Sequence, residues 1–252
     1  MNYIEKIKKS VKKMPKPIER MLSVLYNMLA CRIVLDRDMI NILAEYFSLP
    51  EKEILWLLNL GQRLNADFWR FLNPKTQKEI ENFYRTTPFY IFDLAKWHME
   101  TAQVKFRKSV IDEAEGRVLE VGAGIGDLCA KLAEKGLETD YNELEGMSSS
   151  FAKWLFRKKK LNIGFVNLSD VSKQYDTIIC IDVIEHVVDP KGTLETLTRH
   201  LKKDGKMIIT KLNFQDNSKL SPMHINFDVA SHDYFTKLGL LNTKYDWLFI
   251  KK

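Results

Sequence analysis

The chain is poor in the residues that mark several large classes of protein. Its 252 residues include three cysteines: Cys31, Cys129 and Cys180, widely spaced and without a C-x-x-C pair. This excludes a disulfide framework and a cysteine-based zinc or iron–sulfur site, and it predicts a reducing, cytoplasmic setting. Eleven glycines and seven prolines are too few for a collagen-like or low-complexity chain. No run reaches the ~18–20 apolar residues that span a bilayer. The stretch 21–31 is interrupted by Ser23, Tyr26 and Asn27 and follows a long basic lead with two prolines, which argues against an export signal. Charge of one sign is also scarce over most of the chain. The formal charge is +6, but residues 1–20 hold seven basic groups against Glu5 and Glu19. They account for +5 of it, which leaves +1 for the remainder. A nucleic-acid binder needs a basic face on its body, so a nucleic-acid partner is not expected.

What is present is an ordinary globular composition, 45% hydrophobic and 29% charged, on a length that suits one large domain or two small ones. The basic tip carries Ile4, Ile7, Val11 and Met14 at helical spacing until Pro15 and Pro17 end it. Residues 1–17 therefore read as a short basic amphipathic segment. One reading is a solvated terminal helix; the other is peripheral contact of residues 1–16 with an anionic membrane or an acidic partner. From 18 to 111 the periodicity is helical. Ser48 with Glu51 predicts a capping box, and Gly61 predicts a helix end. Asn73-Pro74 and Thr87-Pro88 predict two more helix starts, the last opening one long aromatic helix over 88–108. From 112 to 252 short apolar runs at 117–121, 138–141, 163–167, 175–181 and 206–212 alternate with amphipathic stretches. A closely spaced pair follows at 242–245 and 247–250. That order predicts an α/β, Rossmann-like, doubly wound and mostly parallel seven-stranded sheet. It carries an antiparallel edge hairpin and is preceded by an all-α lid.

The sharpest local feature is Glu120-Val121-Gly122-Ala123-Gly124-Ile125-Gly126, a strand that runs into alternate glycines with a helix directly behind. Such a turn lets bare backbone approach a ligand. Glu143, 17 residues beyond Gly126, closes the next strand, where a carboxylate can accept from both hydroxyls of a ribose. Asp140 is the alternative. A nicotinamide-binding loop needs a further glycine where this chain has Asp127, and a carboxylate against a pyrophosphate would cost ~1–4 kcal/mol. The acids around the turn therefore argue against a phosphate-bearing ligand.

Together with Ile181-Asp182-Val183-Ile184-Glu185-His186, these residues resemble the class I S-adenosylmethionine-dependent methyltransferases over about 116–252. The resemblance implies that Glu120 and the turn at Gly122, Ala123, Gly124 and Gly126 hold the methionyl part of S-adenosylmethionine. It implies that Glu143 holds the ribose, and that Asp182 meets the ammonium or lines its pocket. Asp170 would lie near the adenine amino group.

An acceptor hydroxyl needs a base, and the resemblance places His186 and His224 beside the pocket as candidates. His98, His200 and His232 are read as structural, and no metal site is expected. Enzymes that methylate planar nitrogens carry an (Asp/Asn)-Pro-Pro-(Tyr/Phe) motif after the fourth strand. Asp182-Val183-Ile184-Glu185 stands there instead, which points away from adenine or glutamine amides. Tyr84, Tyr90 and Trp97 are candidates to line an apolar acceptor pocket under the helical lid. The expected activity is methyl transfer to a small-molecule or lipid-like acceptor, most simply on oxygen. The alternatives are an RNA or protein methyltransferase, and a methyltransferase-fold binding subunit without chemistry.

Overall fold

In a computed structural model the structure describes residues 36–170, 172–210, 222–225 and 232–252. The basic segment 1–17, its proposed membrane or acidic-partner contact and the stretch 21–31 lie outside the described residues.

Five helices precede the sheet: α1 Arg37–Phe47, α2 Glu51–Leu72, α3 Gln77–Thr86, α4 Phe89–Met99 and α5 Thr101–Glu113. Ser48 does not cap α2. It ends α1 in the left-handed region at φ 54°, and its N–H is donated back to the Ala44 and Glu45 carbonyls, while Pro50 takes the N-cap position of α2. Gly61 lies inside α2, where a Cβ would stand 2.8 Å from the Asp93 amide nitrogen. It is therefore a helix-crossing contact with α4 and not a terminus. Asn73 closes α2 at φ 45°. The next start comes at Thr76, whose side chain accepts from the Glu79 amide while Glu79 answers with its own carboxylate, the reciprocal arrangement of a capping box. The expected helix over 88–108 is broken at Glu100, whose extended backbone (ψ 139°) separates α4 from α5.

The sheet then follows as β1 Arg117–Val121, α6 Asp127–Glu134, β2 Glu138–Asn142, α7 Met147–Lys158, β3 Gly164–Phe165 and β4 Tyr175–Cys180. It continues through a 3-10 turn at Ile184–His186, α8 Pro190–His200, β5 Leu201–Ile209, α9 His232–Lys237, β6 Leu240–Asn242 and β7 Leu248–Lys251. Strand order is β3-β2-β1-β4-β5-β7-β6. The pairs through β5 are parallel, and β7 is antiparallel to both β5 and β6. This is the expected Rossmann-like sheet with its antiparallel edge. The edge differs in detail: β5 starts five residues earlier than its apolar run suggests, and residues 243–247 separate the last two strands.

Side-chain alternation buries both faces of the sheet. Leu119, Val121, Ile178, Cys180, Met207 and Ile209 meet Leu194 and Leu197 of α8 and Phe235 of α9. Val118, Ile179 and Ile208 meet Val110 of α5 and Leu128 and Leu132 of α6 on the other face. A further core joins the leading helices to the sheet: Ile54, Leu58, Ile91 and Phe92 pack with Ala123, Ile125, Phe151 and Phe156. The helical half thus sits on the carboxyl end of β1, where open α/β sheets bind ligands. No helix among the described residues is long and apolar enough to cross a membrane.

Candidate active site

The turn after β1 is held by the strand beside it. Gly122, Gly124 and Gly126 have φ of 63°, 52° and 73°, values costly for any residue with a Cβ. The Ala123 N–H is donated to the Asn142 carbonyl (3.0 Å), and the Tyr141 hydroxyl is donated to the Gly124 carbonyl (2.7 Å). Glu143 accepts the Gly124 N–H at 2.8 Å and the Leu144 N–H at 2.7 Å. Burial raises the Glu143 carboxyl above its usual range, against the pull of these two amides.

A cavity of about 680 Å³ opens at this turn, within the ~300–1,000 Å³ of small-molecule sites. Gly122, Glu143, Asp182 and His186 line it, with Asn167 and Leu168 at one end and Tyr84 and Tyr90 from the helices. A smaller cavity of about 190 Å³ adjoins it and shares Tyr90, Asp182 and His186. It adds Trp97, Glu185 and His224.

The structure places the expected residues unevenly. Gly122, Glu143 and Asp182 face the main cavity. Asp182, in the left-handed region at φ 53°, is fixed by its own amide on the Thr210 hydroxyl. Its carboxylate accepts from Thr210 (3.1 Å) and from the Trp97 indole (3.0 Å). Glu120 is buried behind the turn and accepts the Cys129 S–H at 2.9 Å, outside both cavities. Ala123, Gly124 and Gly126 likewise shape the turn without lining the space. Asp170 is exposed and bonded to Ser169, and Asn167 and Leu168 face the cavity in its stead. Asp140 is buried under Tyr175 and Lys173, away from the nucleoside space.

His186 and His224 come together, rings 4.9 Å apart. The Met223 carbonyl lies 3.2 Å from His186 Nδ1. A carbonyl only accepts, so Nδ1 carries the proton and Nε2 keeps its lone pair. The Tyr84 hydroxyl lies 2.9 Å from the same Nδ1, and with the proton there its oxygen shares that N–H as an acceptor. Burial, with His224 adding to it, lowers the His186 imidazole to about 3, so it is neutral.

Two groups escaped the sequence reading. Glu185, 2% exposed, stands between Asp182 and the histidines, and burial followed by the Asp182 charge pushes it up to about 8. A glutamate beside a histidine directly after a buried strand was the available signal. The second is an ion cluster under the turn. Asp127 accepts from Arg107 of α5 at 2.8 Å and from His98 of α4 at 2.9 Å, all largely buried. Despite burial, the Arg107 charge together with the His98 hydrogen bond holds the Asp127 carboxyl far below its usual range. His98 is thus part of the joint between lid and turn. No local pattern announces a pairing across such sequence distances.

The residues present fit S-adenosylmethionine: a glycine turn that exposes backbone, and the Glu143 and Asp182 carboxyl groups lining the same cavity, where a cationic nucleoside could lie. The sequence model described as "Methyltransferase domain" matches residues 94–242, more than half of the chain. The chain belongs to that methyltransferase family. Among similar proteins, a ubiquinone biosynthesis O-methyltransferase of Rickettsia conorii is 27% identical over 163 residues, covering 60% of this chain and 56% of that protein. One from Xanthomonas oryzae is 25% identical over 198 residues, 71% of this chain and 80% of that protein. The chain thus spans about half the length of several curated relatives it matches. The structure of magnesium protoporphyrin IX methyltransferase from Synechocystis, solved with S-adenosylmethionine, superposes with a TM-score of 0.52 at 13% identity. The match covers 71% of this chain and 98% of that one, a likeness of fold.

Proposed function

We propose that this protein methylates an oxygen of a small or lipid-like acceptor. One observation carries the reading: the cofactor cavity at Gly122 and Glu143 opens, through Asp182 and His186, onto a second cavity where Glu185, His186 and His224 gather. The names of the relatives, O-methyltransferases of ubiquinone biosynthesis, support an oxygen acceptor.

Bound S-adenosylmethionine supplies a methyl group on a positively charged sulfur. The chain's own part is alignment and exclusion of water, which dominate an in-line displacement. Glu143 and the turn at Gly122 hold the nucleoside end. Asp182, locked by Thr210 and Trp97, faces both cavities and holds the cationic end. Tyr84 and Tyr90 form the apolar wall contributed by the helices. An acceptor hydroxyl must lose its proton, and His186 and His224 serve that loss. The lone pair on His186 Nε2 is kept available because Met223 fixes the proton on Nδ1.

The test is incubation of the full chain with isotopically labelled S-adenosylmethionine and a cell extract, followed by mass spectrometry. Label in the methoxy group of a small molecule is expected. Label confined to RNA or protein, or no binding of S-adenosylhomocysteine at micromolar concentration, would sink the reading.

A further inference from the structure

We propose that Glu185, His186 and His224 form a binding site for a divalent transition-metal ion of the zinc class, with an open coordination position facing the acceptor cavity. One ligand atom from each residue lies within 4.8 Å of the other two. Around an ion with bonds of ~2.0–2.2 Å, tetrahedral ligand atoms stand roughly 3.4 Å apart, so the set contracts modestly on loading.

Four independent features favour a cation here. Glu185 is 2% exposed, lines the smaller cavity, and its Oε2 has no hydrogen-bond partner among the described residues. A buried carboxylate oxygen left bare is costly without a cation or a donor. His186 donates Nδ1–H to the Met223 carbonyl, the backbone contact that in metal sites fixes the tautomer and aims Nε2 at the ion. The chain holds the set together, because the Ile225 N–H is donated to the Glu185 carbonyl at 2.9 Å and brings His224 beside the 3-10 turn. Finally, Asp93, Glu100 and Asp182 line the same cavity as Glu185 against Lys96 alone, a wall rich in carboxyl groups that can meet a cation. Two imidazoles and one carboxylate match the His₂Glu set of catalytic zinc sites. An all-oxygen set would suit magnesium or calcium instead.

This site deepens the proposed reaction and rests on it for its purpose. With an ion bound, His186 and His224 serve the proton loss as ligands and not as bases: an acceptor hydroxyl at the open position is made more acidic and releases its proton to solvent. Its oxygen then forms the bond to the methyl carbon as the carbon–sulfur bond breaks, and the sulfonium becomes a neutral thioether.

The experiment is a titration of the chelator-treated full chain with Co²⁺, a spectroscopic stand-in for zinc, followed by visible absorption and competition with Zn²⁺. Saturation at one equivalent and displacement by Zn²⁺ are expected. Glu185→Gln and His224→Ala should each weaken Co²⁺ binding at least tenfold. Circular dichroism and S-adenosylhomocysteine binding should stay unchanged, which separates loss of the site from loss of the fold. His224 is only half-buried, so its truncation keeps the test open should Glu185→Gln not fold. Absence of saturable absorption, or equal Co²⁺ affinity in folded variants, overturns the metal site. Failure to bind S-adenosylhomocysteine while Co²⁺ still binds would overturn the methyltransferase reading instead.

Discussion

The Glu143 carboxylate accepts the Gly124 N–H at 2.8 Å, so one side chain at the end of β2 both pins the turn after β1 and faces the cavity that the turn opens. Loss of that carboxylate removes a charged hydrogen bond of ~1.5–3 kcal/mol. Glu143→Ala should weaken S-adenosylhomocysteine binding by about 10- to 100-fold in calorimetry. Glu143→Gln, which keeps one acceptor oxygen, should lose less.

Gly122 is the tightest point of the cradle. At φ 63° an added Cβ would stand 2.4 Å from Val183 Cγ2, and left-handed backbone costs an L-residue ~1–2 kcal/mol even without a clash. Gly122→Ala should lower the unfolding free energy by about 1–3 kcal/mol and cut cofactor affinity more than tenfold. Denaturant melts run beside the binding isotherm would show both.

The Arg107–Asp127 pair is buried on both sides, so removing one partner strands a charge. Asp127→Asn and Arg107→Ala should each destabilise the protein by roughly 3–5 kcal/mol. His98→Ala, which leaves the Arg107–Asp127 contact in place, should cost markedly less. Thermal melts of the three variants would rank them; equal losses would refute the assignment of Arg107 as the main partner.

Glu120 sets a pH dependence of the opposite sign from Asp127. Burial raises its carboxyl from 4.5 to about 7, with Arg107 only partly opposing it. Between about pH 4.5 and 7 the folded chain therefore holds a proton that the unfolded chain has released. Stability contributed by this group falls as pH rises through that window, by about 3 kcal/mol at most. Glu120→Gln should flatten this part of the stability profile and raise stability at pH 8, read from denaturant midpoints. Asp127 acts oppositely: its carboxyl is held below the usual value, and its contribution is lost as pH falls below about 4.

The features legible in the sequence are those written within one or two elements. The strand at 117–121, the glycine turn, the helix behind it and the carboxylate at Glu143 follow from a period-two run, residues that tolerate positive φ, and the fixed spacing of a βαβ unit. Helix ends in the leading half were less legible. Ser48 caps one helix's end and not the next one's start, because the left-handed turn and Pro50 together leave it no side-chain role. Gly61 has the look of a helix end in the sequence, whereas it is the point where α2 crosses α4. The break at Glu100 carries no glycine or proline at all.

The sequence alone determined the succession of strands and helices and the glycine turn between β1 and α6, because alternation, helical period and glycine tolerance are properties of a chain segment by itself. Tertiary structure decided which acids face the ligand and which support the fold. Glu120 and Asp127 flank the turn, yet one is sealed against Cys129 and the other neutralised by Arg107 and His98. Tertiary structure also brought Glu185, His186 and His224 together, since a buried charge is settled by its partners in space, and those come from residues far apart along the chain.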